Sequence, residues 1–357
     1  MQDSSSRFDV IQFLDHNGHL QQSLPEALNS REKLIHLYQI MVLTRIFDQT
    51  AINLQRTGTI GTYASIEGQE AVGTGIGFAM RKEDVLVPYY RDIATQIQRG
   101  VLLEEVFRYW GGDEWGMHFQ HQKEDFPLNI PIATQACHAT GIGYAFKYRK
   151  QARAVVTTCG DGATSKGDFY ESINIAGAMK LPVVFVVNNN QWAISVPLAK
   201  QTAAQTIAHK ALAAGISGYR VDGNDPIAVF NVVNQALELA RNQHQACIIE
   251  AITYRLCDHT TADDASRYRP QHELDEARKL EPLIRFKAFL QSDYQWSQTE
   301  EEELHAQCKQ QVKQAVEVYK TYPEQPAGEF FDYMFEKPTC DLIKQKKEWL
   351  AEVKRHG

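Results

Sequence analysis

The middle of this 357-residue chain predicts an α/β fold, built on a mostly parallel sheet flanked by helices. Two observations carry that prediction. Short, continuous Val- and Ile-rich runs recur between about residues 85 and 260, and helical patterns separate them. Continuous apolar strands connected through helices are typical of a parallel sheet that is covered on both faces.

The N-terminal part predicts an arm followed by two helices. Residues 1–30 read as an extended arm. A helix is expected from Ser30 to Gln55, because apolar residues recur there at helical spacing and Ser30 can cap the first turn. A second helix is expected over residues 69–80, where many small residues indicate close packing against a neighbouring element.

The rest of the chain divides into a strand-rich part and a helical part. Strands are predicted at residues 84–87, 154–158, 182–187, around 219–221 and at 247–252, with helices at 168–180 and 227–243. From residue 271 onward the chain is charge-rich and helical, as in 300–319, where Ser297 and Glu300 match a capping box. We therefore expect an arm (1–30), an α/β domain (31–270) and a helical C-terminal extension of that domain (271–357).

Composition excludes several classes of protein. Hydrophobic residues make up 43% of the chain and charged residues 23%, which rules out a disordered or fibrous chain. The net charge of −7, without a basic block, argues against nucleic-acid or anionic-membrane partners. No apolar run approaches the ~20 residues that span a bilayer. The first residues lack a secretory signal, and the six cysteines are scattered without a C-x-x-C pair, so a cytoplasmic location is expected.

Polar side chains follow two of the predicted strands at the points where those strands end. Gly160-Asp161-Gly162 follows one buried run, and Asn189-Asn190 follows the next, with 26 residues between Gly162 and Asn189. The carboxyl ends of adjacent parallel strands form the usual ligand crevice of such a sheet. Carboxylate and amide oxygens suit Mg²⁺, which normally bridges to phosphate, and glycines let backbone N–H groups approach a diphosphate.

This spacing resembles that of the thiamine-diphosphate enzymes, and most closely the α subunits of heterotetrameric 2-oxo acid dehydrogenases, among them those of bacterial pyruvate dehydrogenases. The resemblance covers nearly the whole chain. The matching segments are residues 67–71 (EGQEA), 88–92 (PYYRD), 132–135 (IATQ), 160–170, 189–195, 254–255, 259–264 (HTTADD) and 267–269. It implies the thiamine-diphosphate-binding fold, with thiamine diphosphate and Mg²⁺ as cofactors.

The resemblance also implies roles for individual residues. Asp161 and Asn190 would bind Mg²⁺ through side-chain oxygens and Trp192 through its backbone carbonyl. The residues that would contact the cofactor are Tyr90, Arg91, Ile130, Ile132, Gly160, Asp161, Gly162, Ala163, Asn190, Trp192 and His259. Arg91 is chemically suited to this role, because guanidinium binds phosphate oxygens bidentately. In some family members, the positions of Asn129, Pro131, Thr134 and Gln135 form a monovalent-cation site.

Two positions depart from patterns in the family. The chain has Trp192 where the family usually has Tyr, a change that a backbone ligand tolerates. Asn188 stands where related branched-chain enzymes carry Arg, so one phosphate contact is expected to be absent or weaker there.

His259 is the expected catalytic residue. It lies in a polar loop after the last predicted strand and is flanked by Asp258, Asp263 and Asp264. An imidazole titrates near neutral pH and can therefore donate and accept protons around a small 2-oxo acid. One histidine among twelve would ordinarily read as a solvated loop residue, but this one matches the family's acid–base loop.

The resemblance also implies partners. In this family, the carboxylate that acts on the pyrimidine ring comes from a β subunit in an α2β2 heterotetramer, so the α chain alone should be inactive. The acyl group then passes to the lipoyl arm of a dihydrolipoyl acyltransferase core.

Three questions stay open on the sequence alone. The substrate is pyruvate or, alternatively, a branched-chain 2-oxo acid, because the segment PIATQ (residues 131–135) resembles the branched-chain enzymes. A dinucleotide-binding dehydrogenase is a rival interpretation, since residues 73–77 and 141–143 are glycine-rich, although neither segment follows a convincing strand. A catalytically inactive assembly subunit is a third alternative.

Overall fold

A six-stranded parallel sheet forms the centre of the molecule in the computed structural model, which describes residues 8–356. The sheet contains β1 (Val10–Ile11), β2 (Val85–Val87), β3 (Val155–Gly160), β4 (Val183–Asn189), β7 (Ser217–Asp222) and β8 (Cys247–Ile252). Their order across the sheet is β1-β7-β8-β4-β3-β2, and every neighbouring pair is parallel. The strands β5 (Trp192–Ala193) and β6 (Val196–Pro197) form a separate antiparallel pair. The predicted fold class is confirmed.

Helices flank this sheet and make up most of the C-terminal region. They are α1 (Arg31–Arg56), α2 (Glu70–Ala79), α3 (Ile93–Gln98), α4 (Leu103–Trp110), α5 (Thr134–Tyr148), α6 (Gly167–Ala178), α7 (Leu198–Gln201), α8 (Lys210–Ala214), α9 (Pro226–Gln243), α10 (Gln271–Lys279), α11 (Pro282–Tyr294), α12 (Gln298–Tyr319) and α13 (Cys340–His356). Within the described residues, none of them has the length and apolar character that crossing a membrane requires.

Several helix ends follow from side-chain caps that the sequence predicts. The Ser30 side chain accepts a hydrogen bond from the Lys33 backbone N–H at the start of α1. Before α12, the Ser297 N–H donates to the Glu300 carboxylate, and the Glu300 N–H donates to the Ser297 hydroxyl. The predicted capping box is therefore confirmed.

The core lies around the three central strands. β3, β4 and β8 are buried along nearly their whole length, which explains their uninterrupted Val and Ile content. Burying each such side chain contributes about 1.5–3 kcal/mol relative to leaving it exposed. In the register of β3 and β4, Gly160 lies opposite Asn188. The two polar segments that follow these strands therefore start from the same edge of the sheet.

The N-terminal arm provides a strand that the sequence analysis did not predict. Val10 and Ile11 form the edge strand β1, which pairs with β7. Asp225 fastens the arm, because its Oδ2 accepts hydrogen bonds from the backbone N–H groups of Phe13 and Leu14, both at 2.7 Å. A two-residue strand has too little pattern to be recognised from sequence, and the part of the predicted arm before Phe8 lies outside the described residues.

The chain divides into two compact units. The first extends to Val316 and contains the sheet, and the second begins at Glu317. In the second unit, the Phe330 and Trp349 rings pack with their centroids 6.3 Å apart, and Lys346 forms an ion pair with Asp332. The domain boundary that we predicted at residue 270 stays a prediction.

Candidate active site

A cavity of about 220 Å³ lies at the carboxyl edge of the sheet, where β3 and β4 end. It brings together ten of the eleven residues that we predicted to contact the cofactor: Tyr90, Arg91, Ile132, Gly160, Asp161, Gly162, Ala163, Asn190, Trp192 and His259. The eleventh, Ile130, is 48% exposed and lies outside the cavity lining. Residues that are far apart in the sequence thus meet at one place.

The predicted metal ligands come from two adjacent turns. Asp161 begins a 3₁₀ turn after β3 and is 1% exposed. Asn190 follows β4 and is 4% exposed; its side-chain oxygen accepts a hydrogen bond from the Trp192 N–H at 3.2 Å. Burial raises the pKa of Asp161, and its hydrogen bond with Gln201 acts in the opposite direction.

These donors suit a hard cation. A carboxylate, an amide oxygen and a backbone carbonyl are all oxygen ligands, as Mg²⁺ prefers. Within residues 8–356 there is no group of three or more His, Cys, Asp and Glu side chains that could hold a metal ion. A site built from these three residues would therefore depend on amide and carbonyl oxygens in addition to a single carboxylate.

The backbone at Gly162 has room for glycine alone. A Cβ atom built there would lie 2.6 Å from Cβ of Ala193, which belongs to the β5–β6 pair. A Cβ on Gly160 would meet nothing within 4 Å. The turn is thus tightly packed against β5 at one glycine and open at the other, which leaves space for a ligand beside Asp161.

Arg91 places a buried positive charge in the cavity. It is 4% exposed and forms no ion pair with an Asp or Glu among the residues that the structure describes. Its guanidinium donates instead to the carbonyls of Ser65 and His259. A buried cation without a carboxylate partner is costly, and an anionic ligand would compensate it. Arg91 therefore fits the diphosphate end of the expected cofactor.

His259 lies next to Arg91 and is held as a neutral imidazole. Its Nδ1 is 3.1 Å from Arg91 Nη2. Because guanidinium can only donate, Nδ1 is the acceptor, and the proton of the neutral ring is on Nε2. Burial lowers the pKa of His259 to about 4, and the positive charges of Arg91 and Arg255 act in the same direction.

The loop that carries His259 is fixed by hydrogen bonds. The His259 N–H donates to the Asp263 carboxylate at 2.8 Å, and the Tyr268 hydroxyl donates to the same carboxylate. Arg255, which is fully buried, donates to the Tyr268 hydroxyl at 2.7 Å and to the Ile194 carbonyl at 3.0 Å. Arg255 thereby connects the histidine loop to the segment that follows Trp192.

Some lining residues were not predicted as ligands. Tyr89, Ala193 and Ile194 line the cavity, and Gln201 donates from its side-chain amide to Asp161 Oδ2 at 2.5 Å. The three lining residues carried only the signal of lying next to predicted ligands in the sequence. Gln201, which lies 40 positions from Asp161 and outside the cavity lining, carried none.

Two of the four residues that match the monovalent-cation positions, Asn129 and Gln135, line the cavity, whereas Pro131 and Thr134 do not. The Gln135 side-chain amide donates to the Thr158 carbonyl at 2.9 Å, while its buried carbonyl oxygen has no partner among the described residues. The presence of a monovalent cation stays a prediction.

The glycine-rich segments lie inside helices. Gly73, Gly75 and Gly77 belong to α2, and Gly141 and Gly143 belong to α5. A dinucleotide-binding fingerprint needs its glycines in the turn between a strand and a helix. These positions therefore argue against the dinucleotide-binding interpretation.

Comparison with known proteins agrees with the geometry. The family described as "Dehydrogenase E1 component" matches residues 38–328. A pyruvate dehydrogenase E1 component subunit alpha of Staphylococcus aureus (strain Mu50 / ATCC 700699) is 38% identical over 348 residues, covering 97% of this chain and 94% of the relative. A 3-methyl-2-oxobutanoate dehydrogenase subunit alpha of Mycobacterium tuberculosis (strain ATCC 25618 / H37Rv) is 40% identical over 326 residues, covering 91% and 88%. The chain therefore belongs to the dehydrogenase E1 component family, whose members decarboxylate 2-oxo acids with thiamine diphosphate.

Proposed function

We propose that this chain is the α subunit of a cytoplasmic pyruvate dehydrogenase that decarboxylates pyruvate and transfers the acetyl group to a lipoyl arm. The observation that carries the proposal is the convergence of Arg91, Asp161, Asn190 and His259 on one cavity. The proposed partners are a β subunit, in an α2β2 heterotetramer, and the dihydrolipoyl acetyltransferase core of the complex. The proposed cofactors are thiamine diphosphate and Mg²⁺.

The chain's own residues would hold the charged end of the cofactor. Asp161, Asn190 and the Trp192 carbonyl would bind Mg²⁺, and Tyr90 and Arg91 would contact the diphosphate. Ile132 lines the cavity at 40% exposure, which supports a hydrophobic contact with the cofactor's ring system. When bound, thiamine diphosphate supplies the electron sink that the loss of CO₂ from a 2-oxo acid requires.

His259 would manage protons around the substrate. Its Nε2 carries the proton of the neutral ring, because Nδ1 accepts from Arg91. The ring is therefore arranged to donate a hydrogen bond from Nε2 to an oxygen of the 2-oxo acid. If Arg91 turned toward a bound diphosphate, Nδ1 would lose its donor, and the negative ligand would raise the pKa of His259 toward the range useful for acid–base catalysis.

Different observations favour pyruvate and a branched-chain 2-oxo acid as the substrate. Pyruvate is favoured by the 97% coverage of the staphylococcal relative and by Asn188, which stands where branched-chain enzymes carry Arg. The Asn188 amide donates to the Tyr89 hydroxyl and its carbonyl accepts from Thr253, so the side chain is already satisfied inside the protein. The mycobacterial relative and the PIATQ segment favour a branched-chain 2-oxo acid as the second candidate.

The test is turnover by the reconstituted heterotetramer. We expect pyruvate to give a higher kcat/KM than 3-methyl-2-oxobutanoate when lipoyl-domain acylation is measured. The reverse order would replace pyruvate by the branched-chain substrate. If neither 2-oxo acid is decarboxylated, and calorimetry detects no thiamine diphosphate binding with Mg²⁺ present, the alternative of an inactive assembly subunit is favoured.

A further inference from the structure

Buried positive charges in this protein fall into two groups. Seven Lys and Arg residues are buried among residues 8–356. Three of them are paired with carboxylates: Arg99 with Asp125, Arg241 with Asp84, and Arg285 with Asp222. The other four form no ion pair with any described Asp or Glu, and they are Arg91, Lys210, Arg255 and Arg269.

The unpaired group has a common location. Arg91 lines the cavity. Arg255 and Arg269 hold the loop that carries His259, through the Tyr268 hydroxyl and the Cys257 carbonyl, respectively. Lys210 contacts the turn that contains Asp161. The paired cations lie elsewhere, so the buried cations that form no ion pair are concentrated around the candidate active site, where the carboxylates of Asp92 and Asp161 are also buried.

Lys210 is the member of this group that neither the sequence motifs nor the family resemblance singled out. It begins α8 and is 5% exposed. Its ammonium group donates to the carbonyl and to the hydroxyl of Thr164, both at 2.8 Å. Thr164 in turn donates from its hydroxyl to the Asp161 carbonyl at 2.7 Å. Lys210 is therefore one residue removed from Asp161 and from Ala163, which lines the cavity.

Packing alone does not account for an ammonium group at this position. Burying an ammonium group without an ion-pair partner carries a desolvation penalty, which two hydrogen bonds to neutral oxygens offset only in part. The ring of Tyr170 lies 5.0 Å from Nζ and adds a weak cation–π contact. An anion bound beside the Gly160–Ala163 segment would provide the missing counter-charge.

We propose that Lys210 is a positioning residue. Its positive charge contacts the Asp161–Ser165 turn on the side away from the cavity and attracts the diphosphate of the cofactor. This inference rests on the proposed function, since the anion is the one that function requires. Lys210 does not line the cavity; it acts through Thr164 and through its electric field. A unit charge acting across ~10 Å, at an effective dielectric constant of ~20, changes the affinity for one ligand charge by about tenfold.

An electrostatic role and a purely structural role predict different results. Lys210→Gln keeps a hydrogen-bond donor for Thr164 and removes the charge, whereas Lys210→Arg keeps the charge. If Lys210 acts through its charge, neutralising it weakens the binding of the anion and does not weaken the binding of the divalent cation, which the ammonium group repels. If Lys210 only supports the structure of the turn, replacing it disturbs the turn and weakens the binding of the anion and of the divalent cation together.

The experiment uses the heterotetramer of this chain with its β subunit. Calorimetry gives the affinity for thiamine diphosphate at saturating Mg²⁺, and electron paramagnetic resonance gives the affinity for Mn²⁺ at saturating thiamine diphosphate. For Lys210→Gln we expect about tenfold weaker thiamine diphosphate binding and an unchanged or tighter Mn²⁺ affinity. Lys210→Arg should stay close to the parent. The control is Lys287→Gln on α11, which removes a charge paired with Glu301 and should alter neither affinity.

Each other outcome counts against the proposal. Equal losses of both affinities, or no loss of thiamine diphosphate affinity, would overturn it. Lys210→Met provides a second neutral variant if Lys210→Gln does not assemble, and failure of both to fold would mean that the ammonium group serves folding itself. Absence of thiamine diphosphate binding by the parent heterotetramer would instead refute the proposed function, so the two failures are distinguishable.

Discussion

At the scale of single residues, the negative and positive side chains of the candidate site lie on different segments of the chain. Among the described residues that line the cavity, Asp161 is the only carboxylate, and it lies on the 3₁₀ turn that follows β3. Arg91 and His259 reach the cavity from other segments. Burial first, and the neighbouring charge of Arg91 second, lower the pKa of His259 and keep its imidazole neutral. These charges suit the proposed ligand, which is anionic at one end and would carry a cation bound to Asp161.

Removing the Asp161 carboxylate should abolish metal-dependent cofactor binding. Asp161→Ala removes the charged ligand that is proposed to hold Mg²⁺ beside the diphosphate. Calorimetry of the heterotetramer with thiamine diphosphate and Mg²⁺ is the measurement. Asp168→Ala is the matched control, because Asp168 lies on α6 and is paired with Lys166. Retained affinity in Asp161→Ala would exclude the metal assignment.

Removing the Arg91 charge should raise the pKa of His259. The pKa lies at about 4, first because of burial and second because of Arg91. In Arg91→Met we expect it to rise part of the way toward 6.5, with burial still holding it below that value. Histidine-selective NMR titration of the chain measures the change, and Arg81→Met, whose parent side chain pairs with Glu238 at the surface, is the control. An unchanged pKa in Arg91→Met would contradict the assigned contact.

The same shift sets a pH dependence of stability. Because the folded-state pKa of His259 is depressed, its stabilising contribution is complete above about pH 6.5 and is lost as the pH falls toward 4. In Arg91→Met the folded-state pKa of His259 should be higher. The lower limit of the pH range over which this stability is lost should therefore rise, and the range should become narrower. Unfolding of the parent and variant chains in urea, measured at about pH 7 and about pH 5, should therefore show a smaller pH effect in the variant. An equal or larger effect would argue against the linkage.

Replacing the imidazole itself should affect turnover more than cofactor binding. His259→Ala removes a positioned proton donor, and such groups typically contribute ~10²–10⁴-fold to rate. We expect kcat for lipoyl-domain acetylation to fall by that order, while thiamine diphosphate affinity changes less than it does in Asp161→Ala. Intact acetylation by His259→Ala would remove His259 from the proposed chemistry.

At the scale of elements, one buried side chain joins the N-terminal arm to the sheet. Asp225 accepts hydrogen bonds from Phe13 and Leu14 through one oxygen, and from Ile227 and Ala228 at the start of α9 through the other. The same carboxylate thus caps a helix and anchors an edge strand. It also lies near Arg285, which contacts the Leu14 carbonyl.

Asp225→Ala should destabilise the first unit strongly. Four buried backbone donors would lose their acceptor, and each unsatisfied donor costs about 1–3 kcal/mol before relaxation. Because the arm can detach and let water reach the donors, we expect a net loss of about 2–4 kcal/mol in the free energy of unfolding. Urea unfolding followed by circular dichroism is the measurement. Asp275→Ala on α10 is the control and should change stability little, because the Asp275 side chain accepts a hydrogen bond from exposed Gln271 at the surface. A similar stability of both variants would contradict the anchoring role.

The elements also explain which parts of the fold could be predicted from sequence. The runs around Val156, Val186 and Ile248 are buried on both faces of the sheet, so their apolar content survives as a clear signal. The helix α5 was not recognised, because most of its residues are small or polar and its apolar pattern is weak. β1 was missed because two residues carry no periodicity.

The candidate site also contains residues that a sequence pattern reveals and residues that no pattern reveals. The GDG and NN segments could be placed together because each ends a recognisable strand, and the register of Gly160 opposite Asn188 is what that argument requires. Arg91 and His259 could be identified only through the family resemblance. Lys210 and Gln201 carried no recognisable pattern in the sequence. Their contacts span tens of residues and depend on how α7 and α8 pack against the Asp161–Ser165 turn.

At the scale of the whole molecule, the proposed function needs more than the residues of this cavity. Asp161 is its sole carboxylate among the described residues, and the proposal assigns that group to Mg²⁺. Two apolar residues at the cavity, Ile132 and Ile194, are 40% and 54% exposed. These exposed apolar side chains fit the proposed β subunit, which would cover them.

The isolated chain should therefore be inactive until a β subunit is added. The family resemblance implies that activating the cofactor takes a second carboxylate against its pyrimidine ring, and the lining of this cavity, among the described residues, offers none besides Asp161. We expect no decarboxylation of pyruvate by the purified α chain with thiamine diphosphate and Mg²⁺, and turnover once β is supplied. Mixing β with Asp161→Ala is the control, since it completes the assembly while leaving the metal site defective. Full activity of the α chain alone would mean that the carboxylate comes from this chain, and the shared-site hypothesis would have to be abandoned.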